Sequence, residues 1–221
     1  MEPEAAGVRP GRAGVLLVEH PVVADRLTSL RDRLTPPTAF RQTVSELSAL
    51  IAYEALRDLA VGAVRIDTPV AEGVDAVRVT ENVLLVPVLR AGLGMIPSIQ
   101  ELLPQSEVAH IGLRRNEETL QPEVYMNRLP ADLSGRRVVV CDPMLATGGS
   151  LAEACSLVKA HGAGHVMALC LIASAPGLAR FHDEHADVLV ACAAIDEELN
   201  SHGYIVPGLG DAGDRLFGPP D

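Results

Sequence analysis

Five short apolar runs, set apart by turns and helix-length segments, limit what this 221-residue chain can fold into. They occupy residues 83–89, 108–113, 138–141, 166–173 and 188–193 and are rich in Val, Ile and Leu. A strand that is apolar at every position, rather than at every second one, must be covered on both faces, which is the situation of a strand in a parallel sheet. Segments able to form helices lie between several runs, at about 97–103, 151–161 and 178–185. Strands alternating with helices specify βαβ units joined by right-handed crossovers. The chain is therefore expected to form a doubly wound α/β fold, with a mostly parallel sheet and helices on both faces.

Before the first run, Val44, Leu47, Ile51, Ala55 and Leu59 recur at three-to-four spacing and mark the apolar face of a helix over about 40–59. Pro36-Pro37 ends whatever precedes this helix, and Thr38 is a candidate cap. No repeat, linker or low-complexity tract divides the chain, so residues 1–221 are read as one domain. Its first 14 or so residues form a loose Gly/Pro/Ala-rich extension. A chain of this length buries enough surface to need no disulfide or structural metal. From Asn200 the sequence is dense in Gly and Pro, yet Tyr204, Ile205, Val206, Leu209, Leu216 and Phe217 give it surface to bury. It reads as a folded-over hood rather than a tail.

Charge and composition exclude several functions. The net charge of −11 makes coating of DNA or of an anionic membrane unfavourable, and 3% aromatic residues leave few platforms for stacking bases. No nucleic-acid or membrane partner is expected. Cys141, Cys155, Cys170 and Cys192 include no CxxC pair, so buried reduced thiols are the default. The polar, acidic N-terminus is no secretory signal, and the longest uncharged apolar stretch, residues 166–175, is too short to span a bilayer. A cytoplasmic protein is the expectation.

The strongest chemical signal follows the third run. There the chain reads Asp142, Pro143, Met144, Leu145, Ala146, Thr147, Gly148, Gly149, Ser150, and a helix opens at about Leu151. In open parallel sheets, ligands bind beyond the carboxyl ends of the strands. Successive N–H groups at a helix start, two glycines without side chains and two hydroxyls form a cradle for a phosphate. Asp142, at the strand end, is suited to accept hydrogen bonds from sugar hydroxyls. The plainer alternative is an ordinary strand–helix loop with Ser150 as cap. A Walker A loop is ruled out because no lysine follows the glycines; Lys159 is the only lysine in the chain.

This nine-residue string resembles the loop that binds 5-phosphoribosyl 1-diphosphate (PRPP) in type I phosphoribosyltransferases, in the version found in uracil phosphoribosyltransferases, where Pro is usual after the acid. Three other strings resemble that family in the same order: PVLRAGLGM at 87–95, RNEET at 115–119 and GYIVPGLGDAGD at 203–214. The resemblance runs from about His20 to Gly218. It implies a pentosyltransferase of pyrimidine salvage that converts uracil and PRPP to UMP and diphosphate. It further implies Arg90, Arg115, the 142–150 loop and Asp211 as PRPP contacts, and Ile205, Gly210, Asp211 and Ala212 as uracil contacts. Asp142, Arg115 and Asp211 would be the catalytic set. Mg²⁺ would be carried mainly by PRPP. Homo-oligomers are common in the family, and some members respond to GTP.

The residues can also be read without the resemblance. Arg90 ends a strand, and Gly92 and Gly94 after it would let backbone approach an anion; a surface arginine beside a flexible turn is the alternative. Arg115 opens a polar stretch that could fold over a diphosphate, or simply be a solvated loop. Residues 208–213 fit G-x-G-x-x-G, but only eight residues follow, too few for the helix, second strand and acid of a dinucleotide site. What remains is backbone N–H and C=O groups suited to the edge of uracil; cytosine would leave some unpaired. The His182/His185 and His161/His165 pairs read as solvated helix ends rather than metal ligands. Three alternatives stay open: transfer to a purine or orotate, a nucleotide-sensing RNA-binding regulator, and a non-catalytic nucleotide-binding subunit.

Overall fold

The computed structural model describes residues 14–115 and 122–219, with the side chains of Arg115 and Pro122 outside that description. In chain order the elements are β1 (Val15–Leu17), α1 (Pro21–Arg31), α2 (Pro37–Ala55), β2 (Val61–Thr68), β3 (Ala71–Val79) and β4 (Val83–Leu89). A 3₁₀ turn at Ala91–Met95 leads into α3 (Ile96–Leu102), then β5 (Glu107–Val108), β6 (Ile111–Arg115), β7 (Pro122–Asn127), β8 (Arg137–Cys141) and β9 (Met144–Leu145). Next come α4 (Gly149–Ala160), β10 (His165–Leu169), β11 (Ile172–Ser174), α5 (Ala175–Glu184), β12 (Leu189–Cys192) and β13 (Ala194–Asp196). The hood comprises β14 (Glu198–Leu199), β15 (Ile205–Val206) and α6 (Ala212–Phe217).

The main sheet runs in the order β1-β12-β10-β8-β4-β6-β7, with β5 also on β4; all its pairings are parallel except β6 with β7. This is the mostly parallel α/β sheet expected from the apolar runs. Its central strands β4 and β8 are buried almost throughout, as continuous apolar runs require. One face packs under α1, α2, α3 and α6 around Phe40, Leu47, Ile51 and Ile99. The other packs under α4 and α5 around Leu151, Val158 and Phe181.

Two expected strands are each broken in two. The 166–173 run is interrupted at Cys170-Leu171, where both Leu171 N–H and Ile172 N–H donate to the Pro143 carbonyl, at 2.9 and 3.2 Å. β8 and β12 are interrupted in the same way, so β9, β11 and β13 form a second small parallel sheet beyond the carboxyl ends of β8, β10 and β12. Asp142 sits in one of these breaks. The 108–113 run likewise splits into β5 and β6. Thr38 is not a cap: α2 starts at Pro37 behind Pro36, where proline's fixed φ suits the first turn. α2 also stops at Ala55, short of Leu59.

In the hood, Ile205, Leu209 and Leu216 are buried as expected, whereas Tyr204, Val206 and Phe217 are largely exposed. A six-residue helix does fit after the hood glycines, although no strand follows it. Of the four histidines in those two pairs, His165 is exposed, whereas His161 and His185 are engaged rather than solvated. His185 is buried, with Nε2 2.9 Å from the Ala152 carbonyl and Nδ1 3.1 Å from Lys159 Nζ, and His161 Nδ1 lies 2.7 Å from the Pro130 carbonyl. All four cysteines are buried and unpaired. Burial pushes the Cys155 and Cys192 thiols up to about 12, so they stay protonated. No described helix is long and apolar enough to cross a membrane.

Candidate active site

The 142–150 loop leaves β8 at its carboxyl end, passes through β9 and enters α4. Gly148 is the cap of α4 with φ +81°, a left-handed conformation that glycine adopts without strain. The first N–H groups of a helix have no acceptor within it, and here no side chain caps them and no acid lies in the first turn. Thr147 and Ser150 are exposed beside them. This open, uncompensated helix start is where the sequence places a phosphate cradle, with Gly148 rather than Ser150 as its cap.

The cradle is held from behind by α5. Ser174 caps α5 by accepting from Gly177 N–H, and its hydroxyl donates to the Ala146 carbonyl at 2.6 Å. A Cβ on Gly177 would lie 2.0 Å from that carbonyl, and one on Gly148 2.7 Å from the Gly177 carbonyl. The two glycines let loop and helix touch backbone to backbone.

Asp142 is half-buried, and its Oδ1 accepts from Met144 N–H at 3.3 Å. Burial pushes its carboxyl up to about 7, only partly opposed by that hydrogen bond. Arg90 stands at the end of β4, half-exposed, with Nη2 3.4 Å from Asp214 Oδ1 across the hood. The glycines after it are closely packed. A Cβ on Gly92 would fall 2.2 Å from the Cys141 carbonyl, and one on Gly94 2.9 Å from Leu216, so both serve packing. Arg115 ends β6 in backbone register with Pro122, but its side chain, and residues 116–119 of the RNEET segment, lie outside the described residues.

The hood closes the other side. Ile205 is buried on β15, Gly210 is exposed and Ala212 is buried. Asp211 caps α6, its Oδ1 accepting from Asp214 N–H at 2.9 Å, so one of its oxygens is already engaged. Two guanidinium groups outside the cleft fix the hood. Arg31 forms a forked pair with Asp196, both bonds 2.7 Å, and donates to the Gly208 carbonyl at 2.9 Å; Asp196 in turn accepts from Gly208 N–H at 3.0 Å. Arg215 donates to the carbonyls of Leu30, Leu209 and Asp32 and stacks on Phe40. Nothing in the sequence pointed to these ties, because the bonds of Arg31 to Asp196 and Gly208, and of Arg215 to Leu30 and Asp32, join residues 165 to 185 positions apart.

Loop and hood face one another across a cleft of about 350 Å³, lined by Met144, Ala146, Thr147, Gly149 and Ser150 on one side and Gly203, Tyr204, Ile205 and Asp211 on the other. Arg180 and His202 also line it, and neither was singled out in the sequence. The arrangement sets an uncapped helix start across a cleft from the hood. Among the described residues, no three His, Cys, Asp or Glu side chains gather as a metal cage.

A sequence model of the uracil phosphoribosyltransferase family matches residues 17–219. The chain belongs to the uracil phosphoribosyltransferase family. Members named uracil phosphoribosyltransferase include one from Clostridium perfringens, 50% identical over 201 residues that cover 91% of this chain and 96% of its own. Another, from Beutenbergia cavernae, is 51% identical over 207 residues, covering 92% and 98%. The solved AQ2163 protein from Aquifex aeolicus matches with a TM-score of 0.87 at 36% identity, over 92% of this chain and 98% of that one. An adenine phosphoribosyltransferase from Thermoanaerobacter pseudethanolicus, at 15% identity and a TM-score of 0.50, shares the type I phosphoribosyltransferase fold. Family membership covers the sheet, the cradle and the hood together.

Proposed function

We propose that the chain transfers the phosphoribosyl group of PRPP to N1 of uracil, forming UMP and diphosphate. The observation that carries this reading is one cleft with the 142–150 cradle on one wall and the 203–211 hood on the other, in a member of this family. The cradle N–H groups and the hydroxyls of Thr147 and Ser150 hold the 5′-phosphate. Asp142 accepts from the ribose hydroxyls. Arg90 and Arg115 neutralise the diphosphate as the bond from C1′ to oxygen breaks. Backbone at Ile205 and at Gly210 to Ala212 reads the edge of uracil and aims N1 at C1′. Asp211 uses its remaining oxygen to orient N1–H or accept its proton. Charge grows on the leaving group and the sugar ring, so orientation and fixed dipoles supply most of the acceleration.

A Mg²⁺ ion fits this donor set as a passenger of the substrate. The half-buried Asp142 carboxyl at the ribose end offers it at most one protein oxygen, so PRPP and water would supply the other ligands. Such an ion supplies charge neutralisation to the diphosphate. The reading takes the whole chain as one cytoplasmic phosphoribosyltransferase domain that works as a homo-oligomer. The β2–β3 hairpin supports the oligomer, since it pairs with no other strand and exposes Val61, Val70, Val77 and Val79. GTP as an effector rests on the family resemblance alone.

The test is conversion of PRPP with uracil, cytosine, orotate and hypoxanthine in parallel, with and without Mg²⁺ and GTP. UMP from uracil alone, in the arms containing Mg²⁺, is the expected result. Turnover of another base at an equal rate, or none with any base, overturns the assignment. A rate unmoved by GTP removes the effector.

A further inference from the structure

Arg180 is a cation with no sufficient local partner. It lies on α5, one helical turn beyond Gly177, and lines the same cleft as Thr147, Gly149 and Ser150. Its guanidinium stands against the start of α4, with Nη2 3.5 Å from where a Cβ on Gly149 would lie. A helix start already carries partial positive charge, and this one has no acid in its first turn. Its only ion pair among the described residues is with Glu184 one turn on, at 3.7 Å, with both side chains about half-exposed. That geometry is too long and too wet to offset the repulsion. Two positive groups face one space, and the one carboxylate lining it, Asp211, belongs to the hood and already accepts from Asp214 N–H.

The helix that carries Arg180 is held against the loop. The contact between Gly177 and Ala146, with the Ser174 hydroxyl on the same carbonyl, locks the first turn of α5 to the cradle. The backbone of Arg180 is therefore held within side-chain reach of the start of α4.

We infer that Arg180 is a side-chain ligand of the substrate's 5′-phosphate, reaching it from α5 beside the start of α4. This deepens the phosphoribosyl-transfer reading and rests on it. A cradle of N–H groups and hydroxyls binds a phosphate through neutral donors. A guanidinium adds a charge-assisted pair that favours the dianion and makes binding depend on salt. Arg180 acts on the phosphate end of the ligand, whereas Arg90 and Arg115 are assigned to the diphosphate end.

That division of labour gives the test. Ribose 5-phosphate carries only the 5′-phosphate, and inorganic diphosphate lacks it. Both are measured as inhibitors of UMP formation, competitive with PRPP, for the full chain and for Arg180→Gln and Arg180→Lys. Arg180→Gln is expected to raise the KM for PRPP and the Ki for ribose 5-phosphate by the same factor, about 10- to 100-fold. The Ki for diphosphate and the KM for uracil should shift less than about twofold, and Arg180→Lys should recover part of the loss. The salt dependence of ribose 5-phosphate binding should flatten in the Gln variant. Equal weakening of diphosphate and ribose 5-phosphate would overturn the inference, as would no change in either. A wild-type chain that makes no UMP would remove the phosphoribosyl-transfer reading instead; direct calorimetric titration with ribose 5-phosphate would then still decide the role of Arg180.

Discussion

At the scale of single residues, the candidate site is dominated by a carboxyl in an unfavourable place. Burial holds the Asp142 proton up to about 7 against an ordinary value of 3.8. A carboxyl raised in the folded state binds a proton that the unfolded chain has already released. Its contribution to stability is therefore greatest below about pH 4 and is lost as pH rises to about 7. Asp142→Asn cannot ionise and escapes this loss. The expected outcome is a melting temperature for the variant that gains on the wild type between pH 5 and pH 8, read by calorimetry at both. Activity should go the other way. Ribose hydroxyls need the ionised acceptor, so kcat/KM for PRPP in the wild type should rise with pH through about 7, and the variant should lose about 100-fold or more. A variant with wild-type turnover would refute the ribose contact. The acid and the cradle were legible in the sequence because their chemistry is local: one string supplies strand, acid, glycines, hydroxyls and helix start. Arg180 was not, since its relation to Gly149 exists only after two βαβ units have been laid side by side.

At the scale of elements, patterns internal to a segment gave the central strands and most helices. The runs at 83–89 and 138–141 became β4 and β8 nearly residue for residue. Failures occurred where a neighbour decided the outcome. The break at Cys170-Leu171 accompanies hydrogen bonds to the Pro143 carbonyl, in the gap between β8 and β9, and the hood is tied down by Arg31, Asp196 and Arg215. Gly92 and Gly94 show the same limit: their close contacts with the Cys141 carbonyl and with Leu216 cannot be read from the sequence. α5 and the cradle behave as one body, which makes Gly177 the position to perturb. Gly177→Ala would force a Cβ to 2.0 Å from the Ala146 carbonyl, so loop or helix must shift. The expected cost is about 1–3 kcal/mol of stability, as for overpacking elsewhere. With it should come a rise in the KM for PRPP that exceeds any change in the KM for uracil. Denaturant unfolding and steady-state kinetics on the same preparation read both. A stable variant with unchanged PRPP affinity would show that α5 does not set the cradle.

At the scale of the whole molecule, the β2–β3 hairpin is out of place on a solitary chain. Two strands alone are marginal in water, and this pair exposes apolar side chains without a covering element. It adjoins an apolar cleft of about 480 Å³ between the end of α2 and α3, lined by Tyr53, Leu56, Leu102 and Leu103 together with Val61 and Val79. Burying both surfaces against a second copy would remove an exposed apolar patch and give the hairpin the packing it lacks. Val77 is 66% exposed, so Val77→Glu costs the single chain little while placing a charge in the contact. Light scattering on the eluting protein should give a multiple of the 23.3 kDa chain for the wild type, and a smaller species for the variant at the same concentration. The hairpin lies between α2 and the amino end of β4, and the 142–150 loop leaves the carboxyl end of the parallel strand β8, so loss of assembly should reach turnover only through the stability of the chain. A wild-type mass of one chain across the micromolar range would end the case for an oligomer and leave the hairpin's exposed valines as a solubility liability instead.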